Sequence, residues 1–556
     1  MTASAVWRGR AGRAGRAGRA APRNARLAGV GELARLALRR DRVMLPAWAY
    51  VLAGALGEVA FSLRGLYPTA ARRDALVASV GGNPALSFLY GQLHGASLGA
   101  LTAWRYLAYS ALGAGLMSIF LVVRHTRADE QAGRLELVGS AAVGRPAALT
   151  AALAVAATAN AVVMALMVAV AVLLRLPAAG AVAYALAAGG CGLVLAALAA
   201  VAAQVSGTPR GARGLAIAVL GAGFVLRGIG DSAGARGPEW LSWVSPVGWA
   251  EQARPFAGDR WAVLALPALT TVLLTGLAYV LSARRDLGAG MFAPLPGPAA
   301  AGAALRGPAG LAWRLQRANL AGWAVGLLAT GVAVGAAARG IGSLLGTSSQ
   351  LRQAFERIGG QQALTSAYLA AIMSLAGLAA AGYAVSAALR LRSEESARLA
   401  EVVLVTPTGR LRWAVSQLAV VGAGTAVVLA AAGAGAGLGY GLRAGDVGTQ
   451  VPRLLGAGLV QLPAALVVAG VAVALFGLLP RWSVTGGWTA LGLATLAALL
   501  GPALRLPQWL ADISPFSHVP RLPGSAVTAE PLIWLSVVAL ALAGAGLAGL
   551  RRRDLG

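Results

Sequence analysis

Apolar stretches of about 20 residues recur along the whole chain, and they constrain its fold more than any other feature of the sequence. A helix of about 20 apolar residues crosses the roughly 30 Å hydrocarbon core of a bilayer. Only 12% of the residues are charged, whereas soluble domains carry about 25%. Intrinsic disorder requires low hydrophobicity, but 58% of this chain is hydrophobic. The sequence therefore predicts an all-α polytopic membrane protein.

The hydropathy pattern predicts about twelve transmembrane helices, of which the fifth and eleventh are the shortest. Their approximate ranges are 43–61, 98–123, 148–174, 181–203, 215–229, 261–282, 320–338, 367–389, 414–438, 457–478, 488–501 and 531–549. Many of these ranges are rich in alanine and glycine, and small residues let helix backbones approach closely in lipid. We therefore expect tight helix packing.

The distribution of arginine predicts the orientation of the chain. The formal net charge is +27, and most of it falls in the segments that face the cytoplasm when both termini are inside, as the positive-inside rule requires. Residues 1–42 form a basic tail without the features of a signal peptide. This tail is interpreted as a disordered, lipid-attracted segment or an overextended start, and a nucleic-acid-binding arm is the alternative. Its residues 27–42 resemble an amphipathic helix on the membrane surface. Arginine, alanine and glycine are abundant, which is typical of GC-rich coding sequences. Together with the apolar spans, this indicates a plasma membrane protein of a high-GC bacterium.

The basic residues of the chain are all arginines, and this excludes several chemistries. A Walker A loop uses a lysine on the nucleotide phosphates, and Schiff-base catalysis uses a lysine amine. Cys191 is the only cysteine, and His94, His125 and His518 are scattered along the chain. This pattern predicts no disulfide, no metal site, no cofactor site and no catalytic residues in this chain.

Three sequence anchors occur twice, in the same order, and indicate an internal duplication. The first anchor begins at Arg127 and recurs 265 positions later at Arg392. The second begins at Trp240 and recurs at Trp509, and the third, Arg-Arg-Asp-Leu-Gly, begins at Arg284 and recurs at Arg552. The chain is therefore predicted to contain two parallel six-helix repeats, 43–288 and 313–556, joined by a Pro/Gly/Ala-rich linker at 289–312.

The first anchor is the densest carboxylate cluster in the chain. Its spacing places Glu130 and Arg134, and likewise Glu394 and Arg398, one helical turn apart, so that each pair can support a helix. We expect a short amphipathic helix on the cytoplasmic rim of each repeat. Spacing alone does not distinguish a solvated loop helix from a docking element, but its occurrence in both repeats favours docking.

The first anchor resembles the motif between the second and third helices of ABC-2 type transporter permeases. The fused twelve-helix layout is similar to the actinobacterial subfamily of polyketide antibiotic, or tetronasin-type, exporter permeases. The resemblance implies a coupling helix that contacts an ABC ATPase. The residues that it assigns to this coupling are Asp129, Glu130, Arg134, Glu136, Arg145, Glu394, Glu395, Glu401 and Arg410.

The resemblance also has departures, and the two repeats depart differently. Ala142 occupies the place of a proline that the family usually has before the third helix. The second repeat keeps this proline as Pro407, but it has Arg398-Leu399 where the family has Gly-Arg. These departures predict that the two repeats contact their ATPase partners unequally.

The second anchor lies in a predicted extracellular segment and is rich in tryptophan and proline. An interfacial aromatic belt explains such residues, whereas the resemblance implies short re-entrant helices that cap the exit. The candidate gate residues are Trp240, Ser245, Pro246, Trp509, Ser514 and Pro515. The third anchor is read simply as a basic stop after the last helix of each repeat.

Charged residues inside predicted spans are costly and mark candidate functional sites. Glu58, Arg105 and Arg227 lie in or at the edges of spans. Glu58 is the candidate intramembrane polar site, with Arg105 or Arg227 as a partner. Interfacial snorkelling explains the two arginines equally well.

Three functions compete at this level. The leading hypothesis is the membrane subunit of an ABC exporter for a hydrophobic or amphipathic small molecule. ATP and Mg are then bound by a separate ATPase subunit, which is expected in two copies. An ion-gradient-driven secondary transporter is the alternative, with Glu58 as its one candidate carboxylate. A membrane-embedded enzyme would use the acidic residues of one outer loop, which are Asp231, Glu239, Glu251 and Asp259.

Overall fold

A computed structural model describes the chain outside residues 1–26, 140–142, 233–237, 345–359, 505–511 and 554–556, and outside most positions between 287 and 306. The described residues are mainly helical and contain no β-strand. The prediction of an all-α polytopic membrane protein is confirmed. The basic tail up to residue 26 and most of the predicted linker lie outside the described residues.

The helices of the first half alternate long apolar segments with short connecting helices. They are α1 (Val30–Arg40), α2 (Met44–Leu66), α3 (Ala70–Val80), α4 (Pro84–Tyr90), α5 (Leu98–Val123), α6 (Arg134–Gly139), α7 (Ala147–Leu173), α8 (Ala178–Val205), α9 (Pro209–Ser232), α10 (Pro246–Gln252) and α11 (Ala265–Arg284).

The helices of the second half follow the same alternation. They are α12 (Pro308–Leu344), α13 (Gly360–Ala388), α14 (Arg390–Ser396), α15 (Leu399–Leu404), α16 (Arg410–Ala444), α17 (Val447–Leu459), α18 (Leu462–Leu478), α19 (Ser483–Leu504) and α20 (Ala529–Arg552).

Eleven helical segments of the described chain are long and apolar enough to cross a membrane. They overlap eleven of the twelve predicted ranges, and α19, which is not among the eleven, corresponds to the predicted range 488–501. The predicted fifth range, 215–229, belongs to the longer helix α9. The predicted tenth range, 457–478, is interrupted between the end of α17 at Leu459 and the start of α18 at Leu462. Pro463 lies in the first turn of α18, and because proline has no backbone N–H it cannot continue the hydrogen bonding of α17.

The described residues form two compact units. Unit 1 takes Met1–Leu66, Ser97–Ala222 and Pro246–Pro294, and unit 2 takes Tyr67–Ala96, Gly223–Ser245 and Leu295–Gly556. Two segments from the first half of the sequence thus belong to unit 2. The predicted repeat boundaries concern duplication of the chain, which this grouping does not test, and they stay a prediction.

The centre of unit 1 is α8, which packs against α5, α7 and α11. Small residues permit this packing, since a Cβ at Gly192 would overlap the side chain of Asn160 on α7. Asn160 Nδ2 donates to Ser118 Oγ at 2.8 Å, and this buried hydrogen bond links α7 to α5. Close packing of alanine- and glycine-rich helices is therefore confirmed in this unit.

Unit 2 contains two equally close helix pairs. Along α12 and α16 the backbones touch directly, because a Cβ at Gly335 would overlap Ala436 and a Cβ at Gly439 would overlap Val332. Along α18 and α20 a Cβ at Gly477 would overlap the backbone of Gly546. Larger side chains at these positions would separate the backbones and remove the dispersion contacts that hold helices together in lipid.

The predicted amphipathic helix at 27–42 is present as α1. It packs against α7, Ala37 is buried, and the amide of Gly144 donates to the Ala28 carbonyl oxygen at 3.1 Å. The backbone just before α1 therefore lies beside Gly144, at the end of the first acidic anchor.

Candidate functional site

The first acidic anchor is built from two short helical pieces rather than one continuous helix. Helix α5 continues through a π-helical turn, Arg124–Ala128, into the single turn Asp129–Gln131. Gly133 then adopts a left-handed conformation, with φ of 71°, and α6 follows. Glycine takes this conformation at little cost. The break between the two pieces places the first two carboxylates on one side of it and Glu136 on the other.

Asp129 is buried and joins α1 to α6. Its carboxylate accepts hydrogen bonds from Arg40 Nη1 at 2.9 Å and from Arg134 Nε at 2.9 Å. The predicted pairing of Glu130 with Arg134 is therefore wrong. The left-handed turn at Gly133 interrupts the helix and turns Arg134 towards Asp129 instead.

A second buried carboxylate, Asp41 at the end of α1, lies beside the same anchor. Asp41 is fully buried; His125 Nε2 lies 2.5 Å from its Oδ2, and Arg124 Nη1 lies 2.8 Å from its Oδ1. The other ring nitrogen of His125 lies 3.9 Å from Asp129. Helix α1 is thus tied to the acidic anchor through two carboxylates.

Glu130 is the most heavily bonded carboxylate of the first anchor. Arg285 binds it with two parallel hydrogen bonds, of 2.7 and 2.9 Å, and Arg127 Nη1 donates a third at 2.8 Å. The backbone amide of Gly288 donates a fourth at 2.6 Å. Bidentate guanidinium–carboxylate pairs are among the strongest hydrogen bonds in proteins. Arg285 belongs to the third sequence anchor, so the first and third anchors meet at Glu130.

The remaining predicted residues of this anchor face outwards. Glu136 on α6 is exposed, as is Leu137, whose exposed fraction is 77%. Arg145, just before α7, donates through Nη2 to the backbone carbonyl oxygen of Arg285 at 2.9 Å. The buried side of the anchor thus binds the membrane helices, while the side chains of Glu136 and Leu137 are exposed to solvent.

The second acidic anchor repeats the bonding of Glu130. Arg553, the residue after α20, binds Glu395 with two hydrogen bonds, of 2.6 and 3.2 Å. Arg392 Nη1 donates a third at 3.0 Å, and Arg410 donates to the backbone carbonyl oxygen of Arg553 at 2.9 Å. Glu395, Arg392, Arg410 and Arg553 therefore match Glu130 and its partners in the first half.

Glu394, which matches Asp129, is bonded differently. Arg390 Nε donates to it at 2.7 Å, and the buried side chains of Gln417 and Trp413 donate at 3.1 and 3.3 Å. The predicted pairing of Glu394 with Arg398 is wrong for the same reason as in the first half, since Arg398 occupies the left-handed position, with φ of 55°. A non-glycine residue pays a steric cost in this conformation.

The outer face of the second anchor is more apolar than that of the first. Leu399, Val402 and Val405 expose 58%, 71% and 88% of their surface, and Glu401 is exposed beside them. Exposed apolar side chains on a short polar-flanked helix are typical of an interaction surface.

The segment that precedes α10 belongs to unit 2 and packs on α9. Ser242 Oγ lies 2.7 Å from Asp231 Oδ1 and 3.3 Å from the Arg227 carbonyl oxygen. Trp240 and Trp243 are exposed, to 65% and 42%. Such exposure is compatible both with an aromatic belt and with an exit cap, and both interpretations stay predictions.

The other predicted gate residues are placed as follows. Ser245 is fully buried and Pro246 begins α10. In the second half Ser514 is buried, Pro515 begins a 3₁₀ turn, and Trp509 lies outside the described residues.

The charged residues of the predicted spans do not form a common site. Glu58 and Arg105 are both exposed on their helices. Arg227 is fully buried, and its Nη1 lies 3.5 Å from Asp231 of the same helix. No ion pair to Glu58 is found within the described part of the chain. A functional role for Glu58 stays a prediction.

Sequence analysis misses Arg285 and Arg553 as partners of the acidic anchors. It interprets these two arginines only as parts of a basic stop. The sequence does contain a signal for them, because the third anchor repeats together with the first at nearly the same offset.

Comparison with known proteins identifies the family. Residues 305–551 match the family described as multidrug efflux system permease Rv1217c, C-terminal domain. The chain is also 43% identical over 534 residues, 96% of each chain, to the multidrug efflux system permease protein Rv1217c of Mycobacterium tuberculosis (strain ATCC 25618 / H37Rv). The chain therefore belongs to the family of the multidrug efflux system permease Rv1217c.

Proposed function

We propose that this chain is the membrane-spanning subunit of an ATP-driven exporter of hydrophobic or amphipathic drug-like molecules. Its relative of 43% identity is named a multidrug efflux permease. The structural observation that carries the proposal is the duplicated acidic anchor. In each half, buried carboxylates fix a short helix to the membrane helices while its other face is exposed.

The exposed faces are the proposed contact surfaces for a separate ABC ATPase, one copy on each. Glu136 and Leu137 supply the first face, and Leu399, Glu401 and Val402 the second. ATP and Mg would be bound by the ATPase, since a chain without lysine has no Walker A lysine to place on the phosphates. Both termini and both faces would then be cytoplasmic, in a bacterial plasma membrane.

The proposed mechanism is a population shift between two packings of the helices. ATP binding closes the ATPase pair and moves the two short helices with it. The chain contributes two arrangements, inward- and outward-facing, whose relative stability depends on where these helices are held. The close glycine contacts of α12 with α16 and of α18 with α20 keep helices in register during such a shift.

The test begins with a search of the neighbouring genes for an ABC ATPase and with co-purification of the unmodified chain with that ATPase. ATP-dependent accumulation of ethidium in inside-out vesicles then measures export. Glu136→Ala combined with Glu401→Ala is expected to abolish this accumulation, because both contact faces are altered. The matched control is Glu32→Ala, which removes an exposed carboxylate from α1 instead.

Two outcomes would contradict the proposal. Unchanged ATP-dependent accumulation in the double variant would remove the coupling role of these faces. Accumulation that collapses with a protonophore but persists without ATP would favour the ion-gradient-driven alternative.

A further inference from the structure

We propose that Arg285 and Arg553 are positioning residues that transmit movement of each acidic anchor to the last membrane helix of the same half. This inference rests on the proposed function, since it concerns how a displacement caused by ATP would travel. The pairs Arg285–Glu130 and Arg553–Glu395 are called the terminal pairs below.

Both terminal pairs have the geometry of a rigid link. Each arginine binds both oxygens of its glutamate, with distances between 2.6 and 3.2 Å. A planar guanidinium that binds a carboxylate at two points fixes orientation as well as distance, which a lysine ammonium does not do. Glu130 and Glu395 expose only 5% and 6% of their side chains, so water does not compete for these bonds.

The paired residues are joined to their membrane helices without an intervening loop. Arg285 directly follows the last residue of α11, and Arg553 directly follows the last residue of α20. Both arginines are extended, with φ of −114° and −103° and ψ of 153° and 155°. On the other side, Glu130 is continuous with α5 through one π-helical turn.

A third helix ends on the same arginine in each half. Arg145, at the start of α7, donates to the backbone carbonyl oxygen of Arg285, and Arg410, at the start of α16, donates to that of Arg553. The second, third and last membrane helices of each half therefore meet at one arginine. A displacement of the acidic anchor cannot leave the last helix behind without breaking buried charged hydrogen bonds.

The neighbouring arginines show that simple positive charge does not explain this arrangement. Arg284 and Arg552 are exposed, and each precedes its terminal-pair arginine by one residue. A basic stop requires only charge near the interface. It does not require that the second arginine of each Arg-Arg pair, Arg285 or Arg553, bind a buried glutamate.

The experiment measures whether the acidic anchor and the last helix move as one body. Spin labels are placed on Leu137→Cys and Val280→Cys in a Cys191→Ala background, using the full chain in complex with its ATPase. The matching pair in the second half is Val402→Cys and Ala548→Cys. These four side chains are exposed, and Cys191 is the only native cysteine. Distances are recorded without nucleotide and after trapping with ATP and vanadate.

We expect the trapped and nucleotide-free distances to agree when both arginines are present. In Arg285→Gln the Leu137–Val280 distance should change on trapping by at least the roughly 2 Å typical of helix shifts in switching proteins. Arg553→Gln should do the same for the second pair of labels. Arg284→Gln and Arg552→Gln are the matched controls, and their distances should stay as in the unmodified chain.

Arg285→Lys and Arg553→Lys serve where the glutamine variants do not assemble, and a single-point contact should give a smaller change of the same kind. The proposal is overturned if the distances are insensitive to nucleotide in the variants, or if they change as much in the unmodified chain. Failure of the proposed function is recognised separately, because the unmodified chain would then not co-purify with the ATPase.

Discussion

The two acidic anchors share one carboxylate and differ in the other. Glu130 and Glu395 are bound by matching arginines in matching geometry. Asp129 is bound by arginines from α1 and α6, whereas Glu394 is bound by Arg390 and by two side chains of α16. The two carboxylates of each anchor therefore have different roles. Glu130 and Glu395 hold the last helix of their half, whereas Asp129 and Glu394 bind neighbouring helices that differ between the halves.

The largest expected effect comes from breaking the shared part. Glu130→Gln leaves Arg127 and Arg285 without their buried counter-charge, and breaking a buried ion pair costs about 3–5 kcal/mol. Glu395→Gln should cost less. The side chain of Arg553 is 20% exposed against 11% for Arg285, and water can therefore partly replace its partner.

The Nε atoms of the two arginines are bonded differently. Arg285 Nε donates to Gln204 at 2.6 Å, while Arg553 Nε is buried without a hydrogen-bond partner among the described residues. The free energy of unfolding, measured by SDS titration in mixed micelles, checks the order, with the exposed Glu136→Gln as a control expected within about 0.5 kcal/mol of the unmodified chain. A larger loss for Glu395→Gln than for Glu130→Gln would show that the exposure of the paired arginine does not determine this cost.

A smaller loss of stability is expected from the contacts that differ between the two anchors. Asp41→Asn removes a buried carboxylate that binds Arg124 and His125, and hydrogen bonds to charged groups contribute about 1.5–3 kcal/mol. In the second half, Gln316 on α12 reaches the anchor through a neutral hydrogen bond. It donates at 2.7 Å to Gln417, which in turn donates to Glu394. Because this bond is neutral, Gln316→Met should cost about 0.5–1.5 kcal/mol.

The same SDS titration measures both variants. Equal losses, or a larger loss for Gln316→Met, would mean that the charged attachment of α1 contributes no more than the neutral one. The two anchors would then differ in geometry but not in how much these contacts contribute to the free energy of unfolding.

The membrane helices and the anchors were accessible from the sequence because both leave regular traces. Apolar length marks a span, and two copies of a motif mark a duplication whatever the fold. Local pairing within the anchor was predicted wrongly, because one left-handed residue, Gly133 or Arg398, interrupts the helix on which the spacing argument depended. The Arg285–Glu130 pair joins residues 155 positions apart, and no periodicity encodes a contact of that range.

The smallest expected change in the free energy of unfolding comes from the left-handed position, which is Gly133 in the first half and Arg398 in the second. Exchanging the residue there should destabilise one half and stabilise the other. Gly133 and Arg398 have φ of 71° and 55°, and a Cβ at Gly133 would meet nothing within 4 Å, so the effect there is one of backbone conformation alone. The left-handed conformation costs an L-residue about 1–2 kcal/mol. Gly133→Ala should therefore destabilise the chain by about 1 kcal/mol, and Arg398→Gly should stabilise it by a similar amount. Gly422→Ala, in the interior of α16 with open space around it, is the control. It should stabilise by about 0.5–1 kcal/mol, and a stabilising Gly133→Ala would show that the turn is not held in this conformation in the membrane.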